Sequence, residues 1–410
     1  MVRPSPPDST KATLNFADPD LYLRGLPLEQ FAALRRTTPV WWNHEEDDEG
    51  FWVLTRHADV MEVSHKPQIF SSHEKTCLLR HGPGAGPDEI EFQKQMLVHL
   101  DPPYHTKLRG IVQKVFTPRS VRDIQGKLQE FTDQIIEQAL ERGEGNFVTD
   151  VAAELPLQAI AELMGIPLED RTKIFSWSNQ MIGFDDPETR VTPDAGRDAA
   201  AQVYLYANAM GADRRECPRP DIVSSLVHAD VDGHALSEAE FDLFFLVLMV
   251  AGNETTRNAI THGMLAFFDH PDQWELFKRD RPATAADEII RWATPVMEFQ
   301  RTALQDVELG GAHIRAGDRV ALFYSSANQD PDVFVDPHRF DIRRDPNPHL
   351  GFGGGGPHYC LGANLARMEI NMIFNAIADR MPDITKLSEP RRLRSSFING
   401  IKELRVRYTP

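Results

Sequence analysis

Residues Gly351–Ile370, GFGGGGPHYCLGANLARMEI, set five glycines ahead of a single cysteine, Cys360, and then run into good helix formers. Gly351, Gly353 and Gly356 formally fit the GxGxxG fingerprint, in which backbone amides meet a pyrophosphate at a helix start. The context rejects that fit: the preceding RRDPNPHL holds no buried strand, and Pro357, His358 and Cys360 come before any helix. A flat, bulky ligand lying against the loop accounts for it better. Glycines tolerate close approach and positive φ, and a cysteine at a helix N-terminus is biased towards thiolate, a strong ligand for iron.

A second group, AGNETT at Ala251–Thr256, sits in the middle of the most apolar helical pattern of the chain. There a glycine costs about 1 kcal/mol against alanine, and hydroxyls add nothing to packing. A structural account has Gly252 admit a close helix crossing and Thr255 bond the preceding turn. A chemical account places the segment beside a bound macrocycle. Gly252 then makes room for a diatomic ligand, Thr255 donates a hydrogen bond to it, Glu254 relays protons from solvent, and Ala251 is a further residue against the bound group. Glu288 and Arg291, three apart, form an ion pair on one helix face. His105 and Arg109 lie one turn apart in DPPYHTKLR, Arg301 follows in FQRTA, and His358 stands two residues before Cys360. All four are suited to carboxylates on a buried ligand.

These residues need a helical scaffold, and the chain supplies one. LPLEQFAALRR, YHTKLRGIVQKVF, VRDIQGKLQEFTDQIIEQALERG, LPLQAIAELMG, the stretch around AGNETT and ATAADEIIRWA place apolar side chains three and four apart. Strand patterns are short: FWVLTR, DVELGGAHIRAGDRVALFY and KELRVRY. The expectation is a mainly α fold with small β-sheets, one domain over 16–410 behind a flexible, proline-rich leader at 1–15. Segments 77–98 and 182–222 carry Gly, Pro and charge without steady periodicity and are expected to be long loops or short mobile helices acting as lids.

Among the 410 residues, 44 basic against 61 acidic side chains leave a net charge of −17, which argues against a nucleic-acid binder and against docking on anionic lipid. The most apolar run, LFFLVLMVAG, is half of the ~20 residues a membrane span requires. The N-terminal stretch has no apolar signal core, which predicts a cytoplasmic protein. Cys77, Cys217 and Cys360 are far apart and odd in number, so neither a disulfide framework nor a zinc site is expected.

Phe352, Gly356, His358, Cys360 and Gly362 together resemble the cysteine-ligand loop of cytochrome P450 enzymes, with one departure: Phe352 precedes Cys360 by eight residues instead of the usual seven. AGNETT resembles the oxygen-activation motif of the same family, and Glu288–Arg291 its ExxR pair, joined there by a later arginine that Arg339 of DPHRFD matches. The resemblance implies haem (heme b, iron protoporphyrin IX) held by Cys360 as metal ligand. It implies propionate contacts from His105, Arg109, Arg301 and His358, and a structural trio of Glu288, Arg291 and Arg339. Dioxygen would be the co-substrate, with electrons from NAD(P)H through a separate ferredoxin and ferredoxin reductase.

LPLQAIAELMGIPLEDR, RPATAADEIIRWATPV, HYCLGANLARM and NGIKELRVRY look like the bacterial steroid side-chain monooxygenases. That similarity implies hydroxylation of the terminal methyl, C26 or C27, of cholesterol or cholest-4-en-3-one, and further oxidation to aldehyde and acid. Leu97, Val98, Val247, Val296 and Phe397 are the expected lining of an apolar sterol channel. Alternatives are a P450 for another bulky apolar substrate (fatty acid, terpenoid or macrolide), a peroxide-driven oxygenase or isomerase, which would need no Glu254–Thr255 relay, and a haem sensor or sterol-binding protein.

Overall fold

The computed structural model describes residues 14–410 except 46–48, 83, 84, 115, 117, 191, 193, 232 and 233. Its axis is one helix of 32 residues, Glu238–Asp269, about 48 Å long at 1.5 Å per residue. Ser237 caps it by accepting from Glu240 N at 3.2 Å, while the Glu240 carboxylate accepts from Ser237 N at 2.8 Å. This reciprocal box satisfies two backbone donors that the first turn leaves open. The helix is apolar nearly all round, so most of it is buried between Phe241 and Phe267, apart from a strip around Ala251. Helices Glu154–Met164, Arg171–Ile182, Ala195–Glu216, Ala285–Ala293 and Ala363–Arg380 pack around it.

The largest apolar core runs through this bundle, from Leu97 to Tyr408. A five-stranded sheet lies to one side, in the spatial order Val40–Asn43, Phe51–Leu54, Arg319–Phe323, Glu298–Ala303, Phe70–Ser71. Its antiparallel pairing sets Arg301 opposite Val320 and Gln300 opposite Ala321, which fixes Arg301 on a rigid strand. A Gly310–Gly311 turn, both with positive φ, joins the small hairpin of Val307–Leu309 and Ala312–Ile314. The fold is mainly helical with small sheets, as the periodicity predicts.

Two expectations change. Most of the leader expected at 1–15 lies outside the described residues, but Asn15 already belongs to the fold: its side chain accepts from Asn43 Nδ2 at 2.9 Å. Next to it, Phe16 stacks on Phe31 at 4.9 Å. The segment 182–222 is not mostly loop. It contains the 22-residue helix Ala195–Glu216, whose inward face is Ala195, Ala199, Val203, Ala207, Met210, Gly211 and Arg214. Small residues dominate that stripe, so its apolar signal is faint. They let the helix sit close: a Cβ on Gly211 would lie 3.0 Å from the Phe241 ring. Segment 77–98 does hold short helices, Pro87–Gln93 and the start of Leu97–His99, with 83 and 84 outside the described residues. Among the described residues no helix is long and apolar enough to cross a membrane.

Candidate active site

The cysteine loop packs its bare backbone against the helix His57–Ser64. A Cβ on Gly354 would fall 2.3 Å from Ser64 Oγ and one on Gly356 2.2 Å from Ser64 O, while Gly353, Gly355 and Gly356 all take positive φ. Glycine is therefore required by the protein's own chain, and not only by the close approach of a ligand that the sequence suggests. Cys360 N donates to Phe352 O at 3.0 Å, closing the loop two residues ahead of Gly362, the N-cap of Ala363–Arg380. The extra residue between Phe352 and Cys360 is taken up within this glycine run. The Phe352 ring lies under the Arg367 guanidinium, 4.6 Å away, and Arg367 is held by Asp287 at 2.7 Å.

Cys360 is exposed, although protein surrounds it closely enough for burial to push its thiol up. The N–H groups of Gly362 and Ala363 and the charges of Arg109 and Arg367 pull the other way and lose. The helix-terminus effect read from sequence is present but outweighed by desolvation. A coordinated metal ion would reverse the balance, since it deprotonates a thiol outright.

A second accessible strip lies on the central helix. Ala251 is exposed, and Val247, Val250 and Thr255 are half-buried, in a helix otherwise sealed on most sides. Positions 247, 251 and 255 repeat every four residues and so share one face. Thr255 Oγ1 donates to Ala251 O at 2.7 Å. Gly252 turns elsewhere: a Cβ there would meet Ile160 Cδ1 at 3.1 Å. The structural account of Gly252, a close helix crossing, is the one its position matches, and Ala251 faces the accessible side. Glu254 is buried. Its Oε1 accepts from Arg257 Nη2 and from Asn258 Nδ2 at 3.1 Å, and its Oε2 has no partner.

Four groups that can carry positive charge converge beside the loop. The His105 and His358 rings are 4.2 Å apart between centroids, and Arg109 donates to Tyr359 O. Arg301 Nη1 donates to Gln300 O at 2.7 Å. Burial holds His105 down to about 4, helped by Arg109, and His358 down to about 2, helped by Arg301 and His105. Among the described residues no carboxylate pairs with Arg109 or Arg301, and neither ring nitrogen of the buried His105 has a partner. A ligand bearing two carboxylates would satisfy these groups and relieve their mutual repulsion. The donor set fits haem: one sulfur for the metal and a cationic cradle for its propionates.

Beneath the loop, Arg291 forks onto Glu288, Nε to Oε2 and Nη2 to Oε1, both at 2.8 Å, with both side chains 0 % exposed. Arg291 Nη1 also donates to the Asn328 and Pro337 carbonyls at 2.8 and 3.0 Å. Glu288 further accepts from Arg344 Nε and Asn347 Nδ2, each at 3.1 Å, and from Asp341 N at 2.9 Å. Arg339 is a correction. Its side chain is exposed and only its carbonyl meets Arg291, at 3.3 Å, so the third guanidinium comes from Arg344, five residues on.

The expected channel residues divide. Val98, Val247, Val296 and Phe397 are half-buried, whereas Leu97 belongs to the main core. Val296 bridges to Ile398, and Met297 N donates to Phe397 O at 2.9 Å, which brings these two segments together. Phe299, stacked edge-on to Phe397 at 5.4 Å, joins them and was not singled out in the sequence. Its period-two alternation with Glu298 and Gln300 was the available signal.

An accessible cysteine that closes a glycine loop, a partly exposed strip on a buried helix and cationic groups beside the loop make up a donor set that fits a haem-thiolate protein. Comparison with known proteins supplies the family. Residues 284–380 match the family model described as Cytochrome P450. The chain is 54 % identical over 400 residues to the steroid C26-monooxygenase of Rhodococcus jostii, covering 96 % of this chain and 84 % of that one. It is 44 % identical over 392 residues to the methyl-branched lipid omega-hydroxylase of Mycobacterium tuberculosis, covering 92 % and 90 %. A Mycobacterium marinum cytochrome P450 solved in complex with pseudoionone superposes with a TM-score of 0.90 at 36 % identity, over 98 % of this chain and 99 % of that one. This chain belongs to the cytochrome P450 family, and membership implies haem iron and dioxygen.

Proposed function

We propose that the protein is a steroid C26-monooxygenase, hydroxylating the terminal methyl, C26 or C27, of a cholesterol-type side chain and carrying it on to aldehyde and acid. The observation that carries this reading is the 54 % identity, spread over nearly the whole chain, to an enzyme of that name. In each hydroxylation one oxygen atom of O2 enters the C–H bond and the other leaves as water, with two electrons and two protons consumed. Haem supplies the oxidising power when bound, and the thiolate's electron donation favours O–O cleavage.

The chain's own residues do the rest. Cys360 holds the iron, Phe352 packs the loop, and His105, Arg109, Arg301 and His358 hold the propionates. Ala251, on the accessible face of the central helix, would leave room for dioxygen, and Thr255 and Glu254 would manage protons. An unactivated methyl offers no chemical handle, so regiochemistry rests on position: Val98, Val247, Val296, Phe299 and Phe397 aim the tail at the iron.

The similarity to a methyl-branched lipid hydroxylase favours one other reading, since both names describe attack on branched apolar chains. Spectral titration of the holoprotein separates them. Cholest-4-en-3-one is expected to drive the low-to-high-spin shift, while a methyl-branched fatty acid, a terpenoid and a macrolide leave the spectrum unchanged. A shift with the branched acid and none with the steroid would overturn the steroid assignment.

The reading includes cytoplasmic residence and electron supply by a ferredoxin and its NAD(P)H-dependent reductase. An acidic ferredoxin needs basic residues on the cysteine side. Arg367 is engaged with Asp287 and Lys66 with Glu62, so the better candidate is the exposed Lys114, at the end of the Arg109 helix. The variant Lys114→Glu is expected to raise the KM for ferredoxin several-fold at low salt with steroid binding unchanged. An unaltered KM would remove this face from consideration.

A further inference from the structure

Asn258 and His262 stand in the C-terminal half of the apolar central helix, 0 % and 6 % exposed, and the site described above employs only the Asn258 bond to Glu254. Polar groups so deeply buried need partners. Theirs are main-chain atoms at the turn between the strands Arg391–Arg392 and Ile401–Glu403. Asn258 Oδ1 accepts from Ile401 N at 3.0 Å, and His262 Nε2 donates to Asn399 O at 2.9 Å. Burial pushes the His262 ring down to about 3, so the ring is neutral and the nitrogen facing the carbonyl is the one that carries its proton. The two side chains lie four apart, and Asn258 is three beyond Thr255, so they grip the turn from the face adjoining the accessible strip.

Asn399 extends the grip to a second wall. Its Nδ2 donates to Ala293 O at 2.7 Å, its N to Pro295 O at 2.9 Å, and its Oδ1 accepts from Arg392 Nη1 at 3.3 Å. Between those two carbonyls stands Thr294, a β-branched residue at φ +36°, a conformation that persists only where its surroundings over-determine it. Asn328 Nδ2 donates to Thr294 Oγ1 at 2.8 Å and completes the restraint. This corner leads into Val296, which bridges to Ile398, while Ser395 Oγ accepts from the N–H groups of Phe397 and Ile398 at 3.2 and 3.0 Å. The central helix, the corner at Thr294 and the turn 395–400 are thereby tied into one block, and Val296 and Phe397 ride on it.

We propose that His262 and Asn399 are positioning residues that set the regiochemistry of hydroxylation, by fixing the depth to which the walls at Val296 and Phe397 admit the tail of the substrate. This rests on the steroid monooxygenase reading. In a cholesterol-type side chain the tertiary C–H bond at C25 is weaker than those of the two terminal methyls, so an oxidant free to choose attacks C25. Attack on a methyl requires a wall that does not yield, and a misplacement of about 1 Å can cost about 100-fold. Insertion at either carbon takes one oxygen atom from O2 and sends the other to water with two electrons and two protons. A displaced wall therefore changes the product and leaves the stoichiometry as it is.

Turnover of cholest-4-en-3-one by the holoprotein, with the products separated by position, tests it. His262→Phe keeps a ring and removes the donor. It is expected to retain the thiolate carbon-monoxide band and to lower the ratio of terminal to C25 hydroxylation about tenfold or more. His262→Gln, which can still donate, should restore most of the ratio. A parental ratio in folded His262→Phe would overturn the proposal, because a purely structural histidine lowers yield and Tm without changing which carbon is oxidised. A lowered ratio that glutamine leaves unrescued would overturn it equally, as the mark of altered packing. Should His262→Phe fail to fold, Asn399→Ala takes its place: a lowered ratio supports the proposal and a parental one overturns it. If the parent protein itself leaves the steroid unoxidised, the steroid reading has failed. The same variants are then compared on a methyl-branched fatty acid, by terminal against penultimate hydroxylation: a lowered ratio in His262→Phe sustains the positioning role and a parental one overturns it.

Discussion

Serine in place of Cys360 is expected to abolish monooxygenase activity and the red-shifted carbon-monoxide band of the reduced protein, while the fold persists. Cys360 contributes a backbone bond to Phe352 O and an exposed side chain, so the substitution removes no packing. It does remove the soft sulfur donor, which a bound metal deprotonates: a serine hydroxyl at this helix end is a poor match for haem iron. The other two cysteines offer no substitute. Cys77 is buried and its thiol is pushed up to about 12, and Cys217 ends the Ala195–Glu216 helix. Absorbance of the dithionite-reduced, carbon-monoxide-treated protein reads the outcome directly. Persistence of the thiolate band in Cys360→Ser would refute the haem-thiolate assignment at its root.

Arg291→Ala is expected to be the most damaging substitution for the fold, costing about 3–5 kcal/mol, because truncating one partner strands a fully buried charge. Glu288 would keep Arg344, Asn347 and the Asp341 amide, but the Asn328 and Pro337 carbonyls would lose their buried donor together. Those carbonyls sit on the segment leading to the cysteine loop, so haem retention should fall with stability. Arg339→Ala provides the contrast. Its exposed side chain makes no contribution beyond a main-chain carbonyl, and the cost should stay within about 0.5 kcal/mol. Urea denaturation of the two variants side by side decides: equal losses would restore Arg339 to the trio and displace Arg344.

That contrast shows where the sequence stops being legible. Glu288 and Arg291 are three apart on one helix, and local spacing suffices to pair them. Which later arginine joins them depends on how the loop after Phe340 folds back, and DPHRFD and RRDPNP look equally eligible. The cysteine loop and the AGNETT helix were readable because residue type and short-range spacing carry their chemistry, whereas the cations at 105, 109, 301 and 358, scattered along the chain, were grouped only by the family resemblance. The direction of Gly252 was not readable, since its neighbour Ile160 is ninety-two residues away. Helix Ala195–Glu216 was obscured for a different reason: alanine and glycine on its inner stripe give close packing with little hydropathy contrast. The net upward push on the Cys360 thiol was also hidden, because desolvation sums over the whole fold while the helix-terminus effect is visible in five residues.

The shape of the metal-binding loop is a cast taken from a neighbour. Because its main chain is moulded on Ser64 and His65, the place at which Cys360 presents its sulfur is set by a helix that supplies no ligand of its own. A bulkier side chain at position 64 would thus displace the loop, and Cys360 with it, while leaving residue 360 itself unchanged.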